Sequence, residues 1–562
     1  MEQRSWKWTD AHFCSLPSQT SIYGCTKIMN NINGTNKLLV ASLVGKFFTI
    51  DYQRIFDKLT PSTKEVQFTY IPGESEIVSV DATNKCRHGN GLTIGITFWK
   101  LEENESKQFL HTYYAAQSGE EFNLESVAQG CQSLELNFMP YHLTHTKLIE
   151  GNNTETVFLL SGSDSKVHLY REVSYQHSFK EEDCEEFFPE FKNFTSVVLW
   201  LDVLYYNNNT RRISVTGHQD GVLNVAVVDI QKCDILKSFS VEFDNPITYV
   251  KTFSLFNKVP RPSFLPPEEG DDEDSDDDVL PELNILVLSA LIPATIYRDI
   301  LHNGLKEPVF LPDSNKFDAV LTGCIIDIDF DGENEILIGT YGQEVLAYKL
   351  NSSAIEPQVH GFSSTVAETS TQDQGSPTKP RHWSGENETS SKPKCEATRR
   401  VKSHENLSAS VGSDTDYVPL SSSKDTVIMK PQLLTNVKSA NSAVNDVSGT
   451  SCRLLWQRSF PCPVMGINHL DIMGDGMEDL VIVTLKGLHI LQPDLNEVAE
   501  VCLERLRLLA CDTSRSDITV VGSQDSFETF SLPSEKSDIS STQSESKNVK
   551  DSSDVTQTEA ER

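Results

Sequence analysis

The sequence predicts an all-β fold. It should be a seven-bladed β-propeller, with six or eight blades as alternatives, carrying disordered insertions and a C-terminal amphipathic helix. Three observations lead there. Pairs of runs rich in Val, Ile, Thr and aromatic residues, joined by Gly- or Ser-containing turns, recur along the chain. Most of these hairpin units lie roughly 50 to 70 residues apart, a period suited to one blade per repeat. The one longer gap contains a polar stretch without apolar periodicity, and removing it restores the spacing. One small sheet cannot bury both its faces, whereas sheets stacked in a closed ring bury them and lose most edge strands. Two stacked β-sandwiches use similar strands and are the rival architecture.

The units follow in order, within a ring expected over 18–492. They are KLLVASLVGKFFTI (37–50), the weaker pair EIVSVDATNK and GLTIGITFWK (76–100), ETVFLLSGSDSKVHLY (155–170) and RRISVTGHQDGVLNVAVV (211–228). LNILVLSALIPATIYRDI (283–300), NEILIGTYGQEVLAYKL (334–350) and EDLVIVTLKGLHILQ (478–492) complete the set. Two interruptions are expected inside the ring. In 261–280, nine of the eleven residues from Glu268 to Asp278 are acidic, and their repulsion predicts a disordered loop between strands. The stretch 352–450 is rich in Ser and Thr and predicts a disordered insertion. Within it VIMKPQLL (427–434) reads either as a binding segment or as a chance apolar run. After the ring, 495–511 places Val498, Val501, Leu503, Leu506 and Leu509 on one broad stripe, away from Glu497, Glu500, Glu504 and Arg505. That predicts an amphipathic helix, packed on the last blade or docking a partner. The tail, 514–562, is expected to be disordered.

The 562 residues carry 81 acidic and 48 basic side chains, a net charge of -33. That balance gives no reason to expect nucleic-acid binding. No stretch approaches the apolar length of a membrane span, and the polar start is not a secretory signal, so the expectation is a soluble cytoplasmic chain without direct membrane insertion. The 12 cysteines lack C-x-x-C pairs and read as free thiols.

Two acidic turns are the candidate binding features. DIDFDGENE supplies Asp327, Asp329, Asp331 and Glu335 around Gly332; DIMGDGMED supplies Asp471, Asp475 and Asp479 around Gly476. Carboxylates at positions 1, 3, 5 and 9 of a tight loop can converge on one hard cation, and glycine at position 6 permits the sharp turn. Met473 takes position 3 of the second loop, so that loop lacks one oxygen ligand. The alternative is an acidic turn whose Asx side chains bond their own backbone. Ile338 and Ile482 stand where an EF-hand has its bidentate Glu, so a calcium switch is not expected. No cofactor is required, and structural calcium is the candidate metal.

Phosphate-binding glycine loops, zinc spacings, H-E-x-x-H and G-x-S-x-G are all missing, so no catalytic residue is assigned. His218 in GHQDG reads as a surface or turn histidine.

YGQEVLAY (341–348), with DIDFDG before it and LLWQRSF (454–460) after the insertion, resembles the kaptin family. KEVQFTYIPGESEIVSVDATNK (64–85), ELNFMPYHLTHTKL (135–148), VVLWLDV (197–203) and DSNKFDAVL (313–321) extend the resemblance from about residue 18 to 511. It implies a propeller with integrin-α-like FG-GAP elements, two of which would be the acidic turns. It further implies a scaffold subunit of the KICSTOR assembly. That assembly holds the GATOR complex, which acts on Rag GTPases, at the lysosomal surface and restrains TOR complex 1 when amino acids or glucose are scarce. The family is also described as actin-associated in lamellipodia and stereocilia, which makes actin the alternative partner. It offers no catalytic residues to carry over. The 352–450 insertion and the Ser-rich tail depart from the family's shorter form.

Overall fold

The structure is a computed structural model that describes residues 8–29, 36–56, 58–86, 89–116, 124–173, 178–256, 282–350, 427–429 and 452–516. Among them the strands form seven sheets, each built on an antiparallel meander of four strands, with one short parallel strand added to the fourth. The inner strands are Cys25–Ile28, Glu76–Cys86, Pro140–Glu150, Val198–Tyr206, Ile247–Phe253, Val320–Ile326 and Val464–Leu470, in blades 1 to 7. Each lies beside the inner strand of the next blade.

Second strands are buried on both faces, since they sit mid-sheet and between two neighbouring blades. Asn284–Ser289, Glu335–Thr340 and Asp479–Thr484 are buried along their whole length. This explains their continuous apolar runs. Outer strands such as Lys58–Val66 are largely exposed. Seven apolar clusters each join two adjacent blades. The one containing Leu38, Val40 and Ile50 of blade 1 with Val481, Leu488 and Ile490 of blade 7 closes the ring.

Closure also uses the N-terminal strand Trp8–Ser15, which pairs antiparallel with Gly487–Pro493 as the fourth strand of blade 7. The ring therefore starts before residue 18, where the sequence reading begins it. In six blades the expected hairpin is the second and third strands; in blade 2, 76–100 is the first and second, Glu76–Cys86 and Gly89–Glu102.

Six inner strands share a register shift near their start, as between Ile77 and Ser79 or Val464 and Gly466. Such bulges increase local twist, which suits strands converging on an axis. At the turn after Arg211–His218, Gly221 adopts φ +89, and a Cβ there would meet the Phe243 carbonyl oxygen at 2.1 Å. Only glycine fits.

Val427–Met429 pairs in parallel with the outer strand of blade 4, Asp234–Glu242. The helix Leu495–Ser516 follows the ring, and Leu503 and Leu506 of its expected apolar stripe are exposed. The segments 261–280 and 517–562, and 352–450 apart from Val427–Met429, lie outside the described residues. No helix among the described residues is long and apolar enough to cross a membrane.

Candidate site: two acidic turns and the axial channel

Both acidic turns join the inner strand of a blade to its second strand, in blades 6 and 7. In blade 6, Asp327 closes the turn on itself: its carboxylate accepts the N–H groups of Asp331 at 3.1 Å and Gly332 at 2.8 Å. In blade 7, Asp471 accepts from Gly474, Asp475 and Gly476 at 2.6, 3.1 and 2.9 Å. Gly332 and Gly476 take φ +94 and +87, as position 6 requires. The carboxylate ending each turn points inward and accepts a backbone N–H, from Ile328 to Glu335 at 2.8 Å and from Ile472 to Asp479 at 3.2 Å.

Asp327, Asp329 and Glu335 bring ligand oxygens within 4.8 Å of one another, and such a donor set suits a hard cation. Among the described residues the blade 7 carboxylates form no such group. The blade 6 cluster also holds a side chain that the sequence reading did not single out. Lys349, on the third strand Glu344–Leu350, directs Nζ to Asp329 Oδ2 at 2.9 Å and Glu335 Oε1 at 2.7 Å, and also to Asp331 Oδ2. Burial pushes Glu335 up to about 7 against the pull of Lys349, and raises Asp327. Asp331 is held below its ordinary value because Lys349 and the Glu333 N–H outweigh burial. In blade 7, burial lifts Asp479 to about 7, opposed by Gln492 and the Ile472 N–H. Gln492 Nε2 also contacts Met473 Sδ.

The ring axis is a second feature, absent from the sequence reading. A cavity of 190 Å³ is lined from all seven blades, by Asp81, Leu143, Trp200, Tyr249 and Gly466 among others. An aromatic stack spans it: Tyr23 with His142 at 5.2 Å, His142 with Trp200 at 4.4 Å and Trp200 with Tyr249 at 4.7 Å. Toward the C-terminal ends of the inner strands the channel meets a cavity of 630 Å³ lined by Lys27, His145, Lys147 and Tyr205. Charges here pair across blades, Asp81 with His145 at 2.7 Å and Asp202 with Lys251 at 2.9 Å. No sequence motif marks these residues, because they are drawn from several repeats far apart in the chain.

His218 is not a surface or turn histidine. It ends a strand at 1% exposure, bonded to Thr216 at 2.9 Å and Asn224 at 3.1 Å.

The family model described as KICSTOR complex protein kaptin matches residues 8–375 and 423–503. KICSTOR complex protein kaptin of Mus musculus is 34% identical over 495 residues, 88% of this chain and 90% of that protein. The chain belongs to the kaptin family. The kaptin match includes both acidic turns and the N-terminal closing strand. Its break between 375 and 423 is narrower than the 352–450 insertion, so the departure from kaptin lies in the middle of that stretch. A chain in the crystal structure of BBS1N in complex with ARL6DN, soaked with mercury, is similar with TM-score 0.43 at 8% identity, over 87% of this chain and 97% of that one.

Proposed function

We propose that this protein is a non-catalytic scaffold subunit of a KICSTOR-type complex acting in TOR complex 1 regulation. The observation that carries this is the match to KICSTOR complex protein kaptin over 88% of the chain. The fold supports it physically: a closed ring offers faces and outer edges whose loops vary without disturbing the core. Holding partners together raises their effective concentration, which is the work of a scaffold.

In this reading the chain helps to hold a GATOR-type GTPase-activating complex at the lysosomal surface, and its loss leaves TOR complex 1 active during amino-acid or glucose shortage. Contact with the membrane runs through partners, in keeping with the net charge of -33. The acidic turns serve the scaffold by fixing blade turns.

The test is affinity purification with mass spectrometry from fed and starved cells, with TOR complex 1 substrate phosphorylation measured in cells lacking the protein. Co-recovery of the other KICSTOR-type subunits and sustained phosphorylation under starvation are expected. Recovery as a monomer under gentle lysis, with normal starvation silencing, would overturn the proposal. Sedimentation with actin filaments in place of these partners would move the function to the cytoskeleton.

A further inference from the structure

The two acidic turns form an internal comparison. In blade 6 the second and third strands pair Ile336 with Tyr348, which sets Glu335 opposite Lys349. In blade 7 they pair Leu480 with Leu491, which sets Asp479 opposite Gln492. Asp327, Asp331 and Glu335 thus correspond to Asp471, Asp475 and Asp479. The two loops differ at a linked pair. Position 3 is Asp329 where the facing residue is Lys349, and Met473 where it is Gln492. Where a carboxylate is present, an ammonium faces it; where the carboxylate is replaced by a thioether, the facing side chain is neutral and reaches that thioether.

We propose that Lys349 is the resident cation of the blade 6 turn, a tethered ammonium standing where calcium would otherwise sit, so that both turns hold without metal. The geometry suits an ammonium. Its three N–H donors meet three carboxylates, those of Asp329, Asp331 and Glu335, and the Lys349 side chain is 9% exposed. Asp327 is not among these partners; its oxygens accept backbone N–H groups of the turn. Calcium needs six to eight oxygens at about 2.3–2.6 Å. It could gather them here only by expelling Lys349. The ammonium is covalently attached and needs no free ion to hold the site. The acidic pattern that the resemblance associates with metal is therefore met by a cation from within the same blade.

The proposal makes calcium dependence a property that one substitution creates. The experiment uses the full chain, with thermal unfolding measured in EGTA and in millimolar calcium chloride, and calcium binding measured by titration calorimetry. The native protein is expected to melt at one temperature in both solutions and to give no calcium heat. Lys349→Gln should melt lower in EGTA by roughly 3–5 °C. Calcium should recover part of that loss and bind with measurable heat. The double variant Asp329→Met with Lys349→Gln copies the blade 7 pair. It should melt above Lys349→Gln in EGTA and ignore calcium, which keeps the test informative should the single variant fold poorly. Calcium binding by the native protein, or a lower melting temperature in EGTA, would overturn the proposal. So would a double variant no more stable than the single one in EGTA.

Discussion

Arg212 shows how a single charged residue becomes structural. Its guanidinium donates from Nε to Glu190 Oε1 at 2.8 Å, and from Nη2 to Glu190 Oε2 at 2.9 Å and the Phe187 carbonyl at 2.7 Å. The Phe188 ring lies 4.2 Å away. The two charged side chains are 4% and 1% exposed. Removing one partner strands the other without water, so Arg212→Met should cost roughly 3–5 kcal/mol in chemical denaturation. Adding Glu190→Gln should recover part of this, a coupling that a double-mutant cycle measures. His142 and His111 work in another way. Burial holds both at about 4, although Asp81 and Asp202 pull His142 upward. The unfolded chain takes up these protons near pH 6.5 and the folded one does not, so stability falls as pH drops from about 6.5 to 4. Each histidine contributes on the order of 3 kcal/mol to that slope. His142 Nδ1 accepts the Leu201 N–H at 3.3 Å, a contact that the oxygen of Asn can imitate. His142→Asn should therefore flatten the acid limb in a stability–pH series and leave pH 8 stability changed less. An unaltered limb would remove His142 from this account.

At the scale of elements, the N-terminal strand joins the two ends of the ring. Trp8–Ser15 covers the outer edge of Gly487–Pro493. Its Trp8 indole donates to the Ile328 carbonyl at 3.2 Å, and Cys14 and Leu16 enter the cluster between blades 7 and 1. Deleting residues 1–16 exposes a strand edge and opens an apolar interface at once. The shortened chain should elute as aggregates in size-exclusion chromatography, and a synthetic peptide of residues 1–17 should restore the monodisperse peak. A shortened chain with native elution and native melting would show that closure does not depend on this strand.

At the scale of the whole molecule, the insertion has its two ends at one point of the ring. Leu350 and Cys452 are paired residues on adjacent strands of blade 6, so the long segment enters and leaves the ring at neighbouring positions. A short hairpin turn can join such ends, and loop-closure cost depends only weakly on length. Replacing residues 352–450 with a two-residue Asn-Gly turn should leave the melting temperature within about 2 °C of native. A larger drop would give the pairing of Val427–Met429 with blade 4 an energetic role.

How much could be read in advance follows from burial. The second and third strands of most blades were legible because they are apolar on both faces, and their turns carry Gly or Ser, as at 219–221 and 341–343. Outer strands such as Asp234–Glu242, half exposed, left little periodicity to find. Asp327, Asp329, Asp331 and Glu335 were visible as a pattern because they are close in the chain. Lys349 was not, because strand pairing, not sequence spacing, places it opposite Glu335. His218 was misread because a Gly-flanked histidine resembles a turn, while packing against Phe194 and its hydrogen bonds bury it.

By itself, then, the amino-acid order determined the blade class, the repeating hairpins, the acidic turns and the family, since each is written in local composition and spacing. Tertiary structure alone decided which strand seals the ring, what lines its axis and which cation faces Asp329. The first two depend on residues far apart in the chain that only closure of seven sheets around one axis brings together, and the third on strand pairing within blade 6.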